Sequence, residues 1–112
     1  MINYCGGRGS GKTVNLVNKA NQAVKRGKKV LIITAYPGAG GLYKSCGLDK
    51  NIPVISCTEY MNSYNKYRDY ELYLDEATYI LNVLFRNKVK VVTTDLEDLV
   101  ILNRKVWDEN YD

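Results

Sequence analysis

Histidine is absent from the 112-residue chain, and that absence removes two large classes of chemistry. Acid–base catalysis by imidazole and zinc ligation by a Cys/His set are both excluded. The three cysteines, Cys5, Cys46 and Cys57, are too few and too irregularly spaced for a disulfide framework. They read as reduced thiols of a cytosolic protein. Two prolines, one Phe and one Trp complete the scarcities; the aromatic content is carried by ten Tyr. No apolar run approaches the roughly 18 residues of a membrane span. The opening MINYCGG has neither the basic nor the apolar region of a secretory signal, so the expected location is the cytoplasm.

What remains is an ordinary globular composition, 46% hydrophobic and 25% charged, which excludes a disordered tail, a collagen-like repeat and a coiled-coil rod. The length suits a single domain spanning residues 1–112. A net charge of +4 is compatible with a nucleic-acid partner without requiring one.

Apolar and polar blocks alternate along the chain. Residues 1–5 read as a short strand, and residues 12–26 as a helix with Leu16, Val17, Ala20, Ala23 and Val24 on one face and Gly27 as its stop. KVLIIT at 29–34 is a continuous apolar run, as a strand buried on both faces requires. Residues 36–47 form a Pro/Gly loop, 53–56 a short strand, and 58–70 a helix carrying Tyr60, Tyr64 and Tyr67. That tyrosine stripe either packs on the sheet or offers rings for base stacking. A strand at 71–74, a helix from Ala77 to Phe85 and a strand at 88–94 follow. Residues 96–106 read as a short helix plus an edge strand. The sum predicts an α/β fold: a parallel sheet sandwiched by helices in a minimal three-layer domain, joined by right-handed crossovers.

Gly6-Gly7-Arg8-Gly9-Ser10-Gly11-Lys12-Thr13 fits G-x-x-x-x-G-K-[ST] between a strand and a helix, the context in which this pattern cradles phosphates. Glycines let backbone N–H groups wrap a phosphate, and the helix N-terminus adds positive potential. Gly6 to Val14 is therefore the candidate nucleotide-binding segment. Within it Lys12 reaches the β- and γ-phosphates, and the Thr13 hydroxyl ligates Mg²⁺. Arg8 is expected to contribute its backbone.

LYLDE at 72–76 is an apolar strand ending in two acids. Ligands of a parallel sheet sit at the carboxyl ends of its strands. Asp75 is then the expected Mg²⁺ partner, and Glu76 the base that polarises an attacking water. The plainer alternative has both acids capping the helix from Ala77. Thr93 and Thr94 end the next expected strand, where a hydroxyl could contact the γ-phosphate; they are equally ordinary β-branched strand residues. With Lys12 and Glu76, Thr94 completes the expected catalytic set. No N-K-x-D element for guanine is present, which favours ATP.

GGRGSGKT, LYLDEA and the expected strand ending VVTT resemble the additional-strand, catalytic-Glu class of P-loop ATPases, over residues 1 to about 95. That class includes RecA-like helicases, terminase-type DNA-packaging motors of viruses, and zonula occludens toxin-like assembly ATPases of filamentous phages. The resemblance implies a Mg²⁺-dependent ATPase coupled to DNA handling, in the host cytoplasm if the protein is viral. It also implies an arginine finger, which no motif assigns; Arg68, Arg86 and Arg104 are candidates, supplied from a neighbouring copy or a partner protein. Members usually extend well beyond the strand that VVTT would form, whereas this chain continues for about eighteen residues after Thr94. Two other readings stay open. A small nucleoside or metabolite kinase would need an acceptor pocket and a lid, and the only lid-sized segment, 36–47, has one Lys and no Arg. A non-hydrolysing, nucleotide-dependent assembly factor would leave Glu76 without a role.

Overall fold

The five residues of Val30–Thr34 are all buried, as their unbroken apolar run requires, and they form the central strand of the molecule. The structure is a computed structural model that describes residues 3–6, 11–93 and 99–102. Its elements in chain order are β1 (Asn3–Gly6), α1 (Lys12–Lys25), β2 (Val30–Thr34), α2 (Gly40–Ser45), β3 (Val54–Ser56), α3 (Cys57–Ser63), β4 (Glu71–Leu74), α4 (Ala77–Phe85) and β5 (Leu99–Leu102). A 3₁₀ turn, Tyr64–Tyr67, follows α3 directly. Among the described residues no helix is long and apolar enough to cross a membrane.

The strands are parallel and fall into two ladders. One is three-stranded in the order β3-β2-β4; the other pairs β1 with β5. In the first, Ile33 of β2 sits opposite Ile55 of β3 and Leu74 of β4. Alternate β2 side chains enter two separate cores, because successive strand residues point to opposite faces. Val30 and Ile32 join Leu16, Val17, Ala20 and Ala23 of α1 and Tyr43 of α2. Leu31 and Ile33 join Cys57 of α3 and Ile80 of α4. Helices therefore lie on both faces of β2, whereas Leu72 and Leu74 of the edge strand β4 stay exposed.

Helix α1 follows the expected period, and Gly27, at φ 84°, lies just beyond its end, where a left-handed residue suits glycine. Three expectations need correction. The Pro/Gly loop contains a helix, α2, whose single buried residue is Tyr43. The helix expected over 58–70 is α3 plus the 3₁₀ turn, its N-terminus capped by the Ser56 hydroxyl, which accepts from the Glu59 N–H at 3.1 Å. The strand expected over 88–94 is not formed in its described part, 88–93. There the turn after α4 is held by side chains: Asn87 Oδ1 accepts from Lys88 N–H and Asn82 Oδ1 from Val89 N–H, both at 2.8 Å. Those two amides are thereby tied to local carbonyls. Val91 and Val92 are exposed, with no described neighbour strand, and a strand needs a ladder partner to persist.

Of the tyrosine stripe, Tyr60 and Tyr67 pack against the second core with Tyr70, while Tyr64 is exposed. Tyr67 meets Tyr70 edge-on at 5.1 Å between ring centroids.

Candidate functional site

Parallel pairing brings the carboxyl ends of β3, β2 and β4 to one edge, and the residues that leave them there are polar. Thr34 ends β2, Ser56 ends β3, and Asp75 follows β4; all three are buried. The Asp75 N–H donates to the Ile33 carbonyl at 3.1 Å, which continues the ladder by one residue and fixes where the acid emerges. At the same edge begins α1. Gly11 precedes it at φ 86°, a left-handed conformation that glycine adopts without strain, and a Cβ there would meet only ordinary contact with Asn15. Conformation rather than space thus calls for glycine at this position.

Two pairs of expected site residues, 60 or more positions apart in sequence, meet here. The Thr13 hydroxyl donates to Asp75 Oδ2 at 3.0 Å. Lys12 Nζ lies 4.0 Å from Glu76 Oε1, with the two side chains 27% and 43% exposed, so this ion pair is loose and open to solvent. Gly11, Lys12, Thr13 and Val14 form the start of α1, Val14 exposed and facing away from the core, and Gly6 ends β1. Gly7, Arg8, Gly9, Ser10, Thr94 and Arg104 lie outside the described residues. Thr93 is exposed and belongs to no strand. Arg68 is exposed and donates to Asn65 Oδ1, and Arg86 follows the end of α4; neither is hydrogen-bonded or ion-paired to the four site residues above.

Neither acid caps α4 with its side chain. Glu76 occupies the N-cap position but makes no side-chain cap hydrogen bond, and the Asp75 carboxylate is turned to Thr13 and Tyr43. Glu76 has φ 57° and ψ 56°, a left-handed conformation that glutamate adopts at a cost. Glu76 still stands at the N-terminus of α4, where its charge suits the helix dipole without a cap hydrogen bond. What holds the two carboxylates where they are is the strand end and the groups opposite.

Tyr43 is the residue that sequence reasoning missed. It is 3% exposed, its ring lies in the first core, and its hydroxyl donates to Asp75 Oδ2 at 2.5 Å. Burial, and then this hydrogen bond, push the Tyr43 hydroxyl well above its ordinary range, so it stays protonated and remains a donor. Nothing in the Pro/Gly composition of its segment signalled a helix; the one available hint was the apolar pair Leu42-Tyr43 within it. Beside the acids lies an open cavity of about 270 Å³, whose lining includes Thr13, Asp75, Glu76, Tyr36, Leu42 and Tyr79.

Chemically the site combines an ammonium, a hydroxyl on a buried carboxylate, and a second, solvent-accessible carboxylate. Hard oxygens paired in this way suit a magnesium ion, and a carboxylate open to solvent can hydrogen-bond a water. Comparison with known protein families, with characterised proteins and with solved structures finds no match to this chain.

Proposed function

We propose that the chain is a Mg²⁺-dependent P-loop protein that binds and hydrolyses ATP, and that its turnover is coupled to DNA handling such as packaging, translocation or replication. The observation that carries this reading is the meeting of Thr13 with Asp75 and of Lys12 with Glu76 at one sheet edge, joining the two motifs that the sequence keeps 62 residues apart. The DNA coupling rests on the resemblance of GGRGSGKT and LYLDEA to the packaging and helicase ATPases. The net charge of +4 is in keeping with it.

The donor set fits magnesium. Among the described residues no cluster of three or more acidic, Cys or His side chains exists, which argues against an all-protein metal cage. One carboxylate and one hydroxyl, with phosphate oxygens and water completing the shell, is how Mg²⁺ is usually held. Thr13 and Asp75 would hold the ion, which when bound neutralises charge on the phosphates. Lys12 binds the β- and γ-phosphate oxygens. Glu76 orients a water and accepts its proton as the oxygen attacks the γ-phosphorus and the bridging P–O bond breaks. The Lys12–Glu76 pair has to open for both roles, and its length and exposure make that inexpensive.

The test is ATP turnover by the pure chain, with and without single- and double-stranded DNA, beside Glu76→Gln. Expected are turnover that requires Mg²⁺, stimulation by DNA, and a loss of about 10²–10⁴-fold in the variant with ATP binding retained. A variant that turns over like the wild type would leave Glu76 without a catalytic part. A second reading, phosphoryl transfer to a small acceptor, is favoured by one observation: the open cavity beside Asp75 and Glu76, which Tyr36 and Tyr79 also line, has room for one. ADP formed without matching free phosphate when candidate nucleosides are added would select it.

A further inference from the structure

We propose that Tyr43 is a positioning residue for Asp75, fixing the carboxylate so that its second oxygen is presented to the metal. This inference rests on the reading of Asp75 as the Mg²⁺ partner. Two hydroxyls from two different helices, Thr13 of α1 and Tyr43 of α2, donate to the same oxygen, Oδ2. Among the described residues both hydrogen bonds to the carboxylate fall on that atom. A carboxylate held at one oxygen by two donors cannot rotate about its χ2 angle without breaking both. Among the described residues no hydrogen bond falls on Oδ1, which is left for the metal.

The burial on each side makes this arrangement rigid. Asp75 is 5% exposed and Tyr43 3%. Tyr43 belongs to the first core, with Leu16 and Val17 of α1 and Ile32 of β2, so the hydroxyl has a fixed origin. Short α2 is itself anchored: the Asn21 amide donates to the Gly47 carbonyl at 2.9 Å and Asn21 Oδ1 accepts from the Asp49 N–H at 2.8 Å, tying the segment after α2 to α1. A tyrosine that only filled the core would need no partner of this kind, since phenylalanine fills nearly the same volume. Residues that orient a metal ligand commonly change metal affinity by ten-fold or more when removed, although they never touch the ion.

The experiment is calorimetry on the full chain with a non-hydrolysable ATP analogue, in EDTA and across a Mg²⁺ titration. It compares wild type, Tyr43→Phe, Asp75→Asn and the double variant, with thermal melts of each in EDTA. The expected result is a half-saturating Mg²⁺ concentration raised about ten-fold in Tyr43→Phe, with unchanged affinity in EDTA. In the Asp75→Asn background, Tyr43→Phe should add no further shift. Equal half-saturation in wild type and Tyr43→Phe overturns the proposal while leaving Asp75 as the metal partner. So does equal weakening with and without Mg²⁺, or a Tyr43→Phe chain that fails to fold, since each assigns the hydroxyl to the core. Wild-type binding that ignores Mg²⁺ altogether overturns both this inference and the reading beneath it.

Discussion

Glu76 is held in a backbone conformation that its side chain does not favour, and its side chain makes no cap hydrogen bond to the helix it precedes. A non-glycine residue in the left-handed region costs of order 1–2 kcal/mol. Glycine would relieve that cost and return part of it as extra unfolded-state entropy, roughly 0.5–1 kcal/mol. Glu76→Gly should therefore melt no lower than wild type while ATP hydrolysis disappears; a drop of several degrees would mean that the side chain carries stability instead. Lys12 is a different case, because under the proposed function its ammonium binds the phosphates. Charge-assisted hydrogen bonds contribute about 1.5–3 kcal/mol each, so Lys12→Ala should weaken ATP binding at least ten-fold, and equal affinities by calorimetry would refute the assignment. Away from the site, Lys29 Nζ reaches Asp69 Oδ2 at 2.9 Å on the surface. The hydrogen bond from Lys29 holds the Asp69 carboxyl below its ordinary range, and the bond to Asp69 raises the Lys29 ammonium. The sign follows directly. The carboxylate's share is present above the ordinary Asp range and lost as pH falls through the lowered folded value. The ammonium's share is present below the ordinary Lys range and lost as pH rises through the raised one. Melts of Asp69→Asn at neutral pH should differ from wild type only slightly, with the difference vanishing in high salt and at acid pH, because an exposed pair is strongly screened.

At the scale of elements, β2 was the most legible segment and the region after α4 the least. An unbroken KVLIIT allows only a strand covered on both faces, and Leu31 and Ile32 are indeed fully buried on opposite sides. Truncating Ile32 to Ala should cost about 2–5 kcal/mol in urea unfolding, and a cost below about 1 would show that α1 can collapse onto the gap. LYLDE was equally readable as strand then acids, since its apolar residues end with the strand at Leu74. The meeting of Thr13 with Asp75 was foreseeable from the rule that parallel strands end at a common edge. The contact between Tyr43 and Asp75 was not, because it depends on α2, a six-residue helix inside a Gly-rich segment that local propensity assigns to a loop. KVKVVTT misled for the opposite reason. Its β-branched residues favour a strand wherever a ladder is on offer, but Asn82 and Asn87 capture the first two amides locally and no described strand flanks the rest. Val91 is 82% exposed, so Val91→Thr should change stability by no more than about 0.5 kcal/mol. A loss of several times that amount would place Val91 in a buried strand after all.

At the scale of the molecule, the open face of the site is the feature that asks for a partner. Glu76 and Lys12 are both accessible, and among the described residues no arginine lines the adjoining cavity. Phosphoryl transfer without a cationic group over the γ-phosphate is slow; an arginine finger raises such rates by 10³–10⁵-fold. Arg86 follows α4 on the surface, where a second molecule could receive it, and Arg68 is engaged with Asn65. The proposed ATPase should accordingly be feeble as an isolated chain. Its specific activity should rise with protein concentration, or on adding DNA or a partner protein, and Arg86→Ala should lower the stimulated rate while leaving the basal rate and ATP affinity unchanged. Sedimentation run in parallel with the kinetics ties the rise to association. Turnover of several per second by a strict monomer, independent of concentration and blind to DNA, would remove both the borrowed arginine and the DNA-handling reading. What would be left is a self-sufficient hydrolase or kinase whose stabilising cation comes from its own chain.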